Sequence, residues 1–342
     1  MNSKLKIALP SKGSLGQTSI DFLSECGIHV KRLSDRQYTG SLKGYDIDVL
    51  FQRAEDIPQK VSDGVCHLGV TGLDIVEEYR NEESAIQIVF SNLKYGKASL
   101  VVAVPESWLH ISSVYDLADL SAKWRLAENP RHLRIATKFT KLTERFLHNN
   151  NIFNYQLIDA SGVIELAPRL KVADVIIDLT STGTTLRENQ LKVIDGGLIL
   201  DSQACLIANP AVFREKRPDT QEPLEQIIDL IESKIRARNF LRVMTNINCD
   251  DPDQAEEDIV NSLEQHGVKV ETHTLSRSVS NSGDGKHVVN VNLVVPFNHL
   301  YKTVRTLRRY NALEIASSRI DYLFLSESSF YQKALSEAEN NS

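Results

Sequence analysis

The chain has few of the marks of a secreted or membrane protein. Only four cysteines occur in 342 residues, and Cys26, Cys66, Cys205 and Cys249 are widely spread with no C-x-x-C pair among them. A disulfide framework has no support in that pattern, and buried free thiols are expected. No stretch is long and apolar enough to span a bilayer, and the start runs into "LKIALP" without a signal peptide's apolar region, so a cytoplasmic protein with no membrane partner is expected. Excess basic charge is missing too. The net charge is −6, which removes the broad electrostatic footprint of a nucleic-acid binder and leaves any affinity for anions to local sites. Nine histidines form no H-E-x-x-H, and there is neither a G-x-S-x-G elbow nor a loop ending in Gly-Lys-Ser/Thr. Neither a structural zinc site nor a covalent nucleophile is signalled.

The composition that remains, 42% hydrophobic and 25% charged, is that of an ordinary globular protein, long enough for two or three domains. Up to about residue 210, short apolar runs alternate with amphipathic segments. "LKIALP", "DIDVLF", "HLGVTG", "SLVVAVP", "LRIATK", "YQLIDA" and "DVIIDL" read as strands, and "LGQTSIDFLSECG" and "DIPQKVSDG" as helices closed by glycine. That alternation implies mostly parallel sheets covered by helices, with ligands at the strands' carboxyl ends, where "VTG", "ATK" and "DLTSTGTT" lie. Two α/β lobes forming a cleft follow: residues 1–100 with a return segment 190–220, and residues 101–189. A helix over 221–238, "EPLEQIIDLIESKIRAR", leads to residues 239–331, read as strand "FLRVMTNIN", helix, strands "VKVETHTL" and "HVVNVNLVV", helix, and strand "IDYLFL". This β-α-β-β-α-β order is ferredoxin-like α+β. The loop "SRSVSNSGDGK" and the tail 332–342 are expected to be flexible.

One stretch carries specific chemistry. In "IIDLTSTGTTLREN" a buried strand ends in Asp178, a turn follows through Thr180, Ser181, Thr182, Gly183, Thr184 and Thr185, and a helix begins. Backbone N–H groups at a helix start and hydroxyl donors around a glycine suit a phosphate. A carboxylate at the loop's mouth suits sugar hydroxyls or a bound magnesium ion. Read alone, the same residues also describe an ordinary capped helix.

"GVIELAP" followed by "ADVIIDLTSTGTTLREN" resembles the signature of the ATP phosphoribosyltransferases, and "LKIALPSKGSL", "RAEDIPQKVSDG", "LGVTG", "LVVAVP" and "LRIATKF" follow the family's order over nearly the whole chain. The resemblance implies periplasmic-binding-protein-like lobes and a C-terminal regulatory domain. It also implies transfer of the phosphoribosyl group of phosphoribosyl pyrophosphate to N1 of the adenine of ATP, opening histidine biosynthesis, with Mg²⁺ carried by the substrates. By resemblance the 180–185 loop holds the ribose 5-phosphate and Asp178 its hydroxyls, Glu165 lies near the same cleft with a helix cap or structural ion pair as its alternative, and Lys12, Gly13, Arg53 and Arg36 face pyrophosphate, with a surface salt bridge to Asp56 or Glu55 as the alternative for Arg53. Thr71 and Gly72 suit nucleotide contact, and Ala136, Thr137 and Lys138 of the second lobe meet pyrophosphate or ATP, with a solvated charge as the alternative for Lys138. Lys12, Arg53 and Asp178 are the candidate catalytic residues. Further implied are histidine as allosteric inhibitor and a homo-oligomer of dimers assembling to hexamers. Three positions depart from the pattern: Ser14 for a common arginine, His67 for an acid, and Gln190 for a glycine. His67 reads as a packed or partly exposed imidazole, with a catalytic base as the alternative. A cytoplasmic two-lobed nucleotide or amino-acid sensor, or a phosphoribosyltransferase using another base, are the alternative readings.

Overall fold

A computed structural model describes residues 4–34, 36–159, 164–215, 217–268, 270–278 and 287–340. Gly162 and Val163 of the "GVIELAP" stretch and most of the "SRSVSNSGDGK" loop lie outside them. The chain forms two compact units, Met1–Leu224 with Lys333–Ser342, and Glu225–Gln332. Among the described residues no helix is long and apolar enough to cross a membrane.

The first unit contains two sheets, one per lobe. The first has seven strands in the order Val30–Lys31, Thr39–Leu42, Ile47–Gln52, Leu5–Pro10, Leu68–Gly72, Ala204–Ala208, Gln87–Phe90. Its centre is parallel, with Leu5–Pro10 between Ile47–Gln52 and Leu68–Gly72. The second has five strands, Leu191–Ser202, Ala98–Pro105, Val175–Thr180, Leu133–Thr137 and Tyr155–Asp159. "SLVVAVP" is apolar throughout because both faces of its strand are covered: Leu100, Val102 and Val104 join one core cluster, Val101 and Ala103 another. The sequence reading returned the chain to the first lobe at about residue 190. Leu191–Ser202 is instead an edge strand of the second sheet, and the return comes at Gln203, between Ser202 paired to Ala98 and Ala204 paired to Gly72.

The second unit is a four-stranded antiparallel sheet in the order Thr272–Ser278, His287–Pro296, Phe240–Cys249, Ala312–Arg319, with helices Pro252–Gln265 and Leu300–Arg309, the ferredoxin-like arrangement. Val289, Val291, Leu293 and Val295 face the core as the alternation requires, while Asn290 on the other face donates to Asn246 Oδ1 at 3.1 Å. The last strand is not "IDYLFL" but the polar "ALEIASSR", an edge strand with most residues exposed and a weak apolar signal. The apolar 320–325 segment meets the linker helix Pro218–Ala237: Leu323 N–H donates to Ser233 O, and Lys234 Nζ lies 5.0 Å from the Tyr322 ring centroid. The expected flexible tail is a helix, Ser329–Asn340, that buries Tyr331, Ala334 and Ala338 at helical spacing. Gln87 Nε2 donates to Ala334 O and Glu337 Oε2, both at 2.9 Å, which ties the tail to the first lobe.

Gln190 stands at φ +56°, just past the helix Thr184–Glu188 and its cap Asn189, the position at which a left-handed residue usually ends a helix. A glycine there would shed about 1–2 kcal/mol of steric cost and lose about 0.5–1 kcal/mol to chain entropy. Gln190→Gly is expected to raise Tm by roughly 1–3 °C in a thermal melt, with a fall in Tm counting against the strain.

Candidate active site

The carboxyl ends of both sheets open on one cavity of about 880 Å³. In the first lobe Pro10 pairs with Gln52, Ser11 N–H donates to Gln52 O at 2.7 Å, and Ile7 pairs with Leu68, so all three parallel strands end level. The residues that follow are the ones the sequence singles out: Lys12, Gly13 and Arg53 line the cavity with Gly72. In the second lobe Ile176 pairs with Ala136, and two residues further along these parallel strands come Asp178 and Lys138. Ala98, Lys138, Phe139 and Leu179 form that lobe's part of the wall.

The cations are free to meet an anion. Lys12, Arg53 and Lys138 are exposed, and among the described residues no ion pair joins Arg53 to Glu55 or Asp56, its sequence neighbours. Burial pushes the Asp178 carboxyl above the ordinary carboxylate range, opposed by the Leu179 N–H and by Lys138, and reinforced by Glu165. Lys138 and Glu165 are therefore each within electrostatic reach of Asp178.

The 180–185 loop starts one residue past Leu179. Gly183 has φ +71°, which explains a glycine there better than steric room does, since a Cβ would meet only Arg187 Nη1, at 3.5 Å. The loop bonds to itself: Gly183 N–H donates to Thr180 Oγ1 at 2.9 Å, the Thr182 and Thr184 hydroxyls are 3.0 Å apart, and Arg187 Nη2 donates to Thr184 Oγ1 at 3.3 Å. Ser181, Thr182, Thr184 and Thr185 are exposed.

Other expected residues stand back from the cavity. Thr71 is fully buried, and its hydroxyl donates to Ala54 O at 2.8 Å, holding the chain beside Arg53. Thr137 is buried and accepts from Phe139 N–H at 3.0 Å, which turns the chain at Lys138. Arg36 is exposed on a turn and is not on the cavity wall, although Tyr38 is. Ser14 lines the cavity with a small hydroxyl where an arginine is common. His67 accepts from Lys6 N–H at 2.9 Å, and burial lowers its pKa, so it is the packed imidazole expected. Asp74, Glu78, Tyr79 and Phe139 line the cavity without having been singled out. The signal for the first three was the helical run "LDIVEEY" placed directly after the strand end "VTG". Among the described residues no group of three or more histidine, cysteine or acidic side chains is arranged to hold a metal ion.

The ATP phosphoribosyltransferase family matches residues 53–233. The chain is 32% identical over 339 residues to ATP phosphoribosyltransferase 2, chloroplastic, of Arabidopsis thaliana, covering 97% of this chain and 80% of that protein. It is 30% identical over 336 residues to the ATP phosphoribosyltransferase of Bradyrhizobium sp. (strain ORS 278), covering 97% and 98%. Among solved structures, the ATP phosphoribosyl transferase (HisG:HisZ) complex from Thermotoga maritima is 28% identical with a TM-score of 0.51, covering 67% of this chain and 98% of that one. Matched by the family over more than half of its residues, and by curated relatives along 97% of its length, the chain belongs to the ATP phosphoribosyltransferases, a family of pentosyltransferases.

Proposed function

We propose that the chain joins N1 of the adenine of ATP to C1 of phosphoribosyl pyrophosphate and releases pyrophosphate, the first step of histidine biosynthesis. The observation that carries this reading is the convergence of strand ends from two sheets on one cavity, with Lys12 and Arg53 on its wall from one lobe and Lys138 from the other, while Asp178, Glu165 and the 180–185 loop stand just off that wall. In such a reaction a C–O bond to pyrophosphate breaks as the C–N bond forms. The ribose carbon gains oxocarbenium character and the leaving group gains negative charge. Lys12 and Arg53 would stabilise that departing charge, the 180–185 loop would hold the 5-phosphate once its internal hydrogen bonds open, and Asp178 with Glu165 would take the ribose hydroxyls. Gly13 and Gly72 would let backbone approach the phosphates closely. Mg²⁺ would enter on the diphosphates, whose oxygens fill most of its ligand positions, with Asp178 able to supply one carboxylate. A homo-oligomer of dimers building to hexamers belongs to the same reading.

Incubation with ATP, phosphoribosyl pyrophosphate and Mg²⁺ is expected to yield a nucleotide with new absorbance, and no product with either substrate omitted. Arg53→Ala is expected to lower turnover by roughly 10²-fold with a smaller change in ATP affinity. Arg53→Lys should recover only part, because an ammonium lacks the guanidinium's fork. Lost thermal stability with unchanged turnover would return Arg53 to a structural role.

The raised Asp178 pKa gives a pH dependence. The folded chain holds this proton to a higher pH than the unfolded chain, so this group's contribution to stability is greatest in acid. It is lost as pH rises from the unfolded value through the folded one. Ribose hydroxyls need the ionised form as acceptor. The Km for phosphoribosyl pyrophosphate should therefore rise on acidification before an ordinary carboxylate would titrate. Asp178→Asn should flatten that limb, and Lys138→Ala, which removes an attractive charge, should move it to higher pH. A limb unchanged in both variants excludes Asp178 from it.

The second unit we assign to histidine binding and feedback inhibition. Tenfold inhibition requires about 1.4 kcal/mol of coupling between sites. Cutting the chain after the linker helix is a poor test, because it also removes the Ser329–Asn340 helix on which Gln87 bonds. Full-length enzyme is expected to bind histidine by calorimetry and to lose activity with it, and an active chain that does neither lacks this control.

A further inference from the structure

The first-lobe helix Leu73–Tyr79 and the second-lobe helix Thr140–Asn149 meet end to end beside the cavity, and each supplies the other's terminus. The Glu78 carboxylate accepts from Lys141 N–H through Oε1 at 2.9 Å and from Leu142 N–H through Oε2 at 3.0 Å. These are two of the N–H groups that a helix start leaves without partners inside the helix. The residue at the local N-cap position is Phe139, whose side chain makes no cap hydrogen bond. Glu78 therefore does from the other lobe what a serine or aspartate at position 139 would do locally. In return Lys141 Nζ donates to Tyr79 O, the last residue of the first-lobe helix, at 3.1 Å. Arg145 lies 4.0 Å from Glu77 along the same junction. A carboxylate thus sits at a helix N-terminus and an ammonium at a helix C-terminus, each favoured by the dipole it faces.

The junction is close to the chemistry. Lys138 lies three residues before Lys141, on a turn held by the Phe139 N–H bond to Thr137 Oγ1, and Glu78, Tyr79, Lys138 and Phe139 all line the cavity. We propose that Glu78, answered by Lys141, is a positioning clamp between the lobes that sets the width of the cleft and holds Lys138 against the diphosphate of the substrate. The identity of the anion rests on the phosphoribosyl-transfer reading, while the clamp itself does not.

The test uses the full chain with spin labels at Gln59→Cys and Tyr115→Cys, one per lobe, in a Cys249→Ser background. Glu78→Gln removes the charge and one acceptor, and is expected to broaden the distance distribution between the labels. It should also weaken binding of inorganic pyrophosphate by about five- to tenfold, the size of one helix cap. Lys141→Ala, which keeps the helix cap and loses only the reciprocal bond, should act in the same direction more weakly and covers the case of a Glu78 variant that does not fold. Because Glu78 is argued to act through Lys138, Glu78→Gln in a Lys138→Ala background should cost less than twofold further. An unchanged distance distribution, or fully additive losses in the double variant, overturns the proposal. A wild-type chain with no turnover and no pyrophosphate binding would defeat the reaction reading, with the distance distributions still deciding the clamp.

Discussion

The site depends on a double crossing of the chain between two sheets. The chain leaves the first sheet after Phe90, enters the second at Ala98, and returns between Ser202 and Ala204. The two crossing segments are bonded to each other, with Leu93 N–H donating to Ala204 O at 2.9 Å and Ala204 N–H to Tyr95 O at 3.0 Å. Beside them the buried Asp74 accepts from the Ser202 hydroxyl, and Asp74 N–H donates to the same oxygen at 3.0 Å. At Gly96, φ is +66° and a Cβ would come within 2.5 Å of Leu15 Cδ2, so the crossing admits no larger residue without movement. Ala204 pairs with Gly72, a wall residue of the cavity, and Ser99 pairs with both Asp201 and Thr180, the first residue of the hydroxyl loop. The positions of both lips therefore trace back to this one hydrogen-bonded hinge. The Glu78 and Lys141 contacts fix the lobes at a second place, and two points of attachment constrain a hinge far more than one.

How much of this was legible in the sequence followed the range of the interactions. Strands covered on both faces, such as Ala98–Pro105, announce themselves as apolar runs, and the loop around Gly183 is read locally from glycine, hydroxyls and a helix start. Ala312–Arg319 was missed because an edge strand with one buried face has little apolar signal, and the more apolar neighbour drew the assignment. The tail helix was missed for another reason. Its start is fixed by buried Glu232, which accepts from Ser328 Oγ at 2.8 Å and Phe330 N–H at 3.3 Å across almost a hundred residues of chain. At the site, Lys12, Arg53 and Lys138 could be found by their place just after strand ends. Glu78 could not, because its partners are backbone N–H groups of another lobe and no residue type in the sequence marks them.

The charge distribution gives these placements a common logic. The chain carries 45 acidic against 39 basic side chains, so its average field repels a polyanion such as ATP. Attraction must be built locally, from cations not already neutralised. Elsewhere in the second lobe Arg131 and Arg134 are spent on buried Asp174, at 3.1 and 3.0 Å, and Lys123 on Asp119. Lys12, Arg53 and Lys138 have no such ion pair among the described residues, and Asp178, on which the Lys138 charge acts, itself resists ionisation through burial. The same cavity wall carries the carboxylates Glu55, Asp56, Asp74 and Glu78, but among the described residues no ion pair joins them to Lys12, Arg53 or Lys138, and Asp74 and Glu78 are bonded to Ser202 and to the Lys141 and Leu142 N–H groups. The Glu78 and Lys141 contacts between the lobes, with the Phe139 N–H bond to Thr137, place Lys138 through backbone and helix-end bonds and leave its charge outside any ion pair among the described residues.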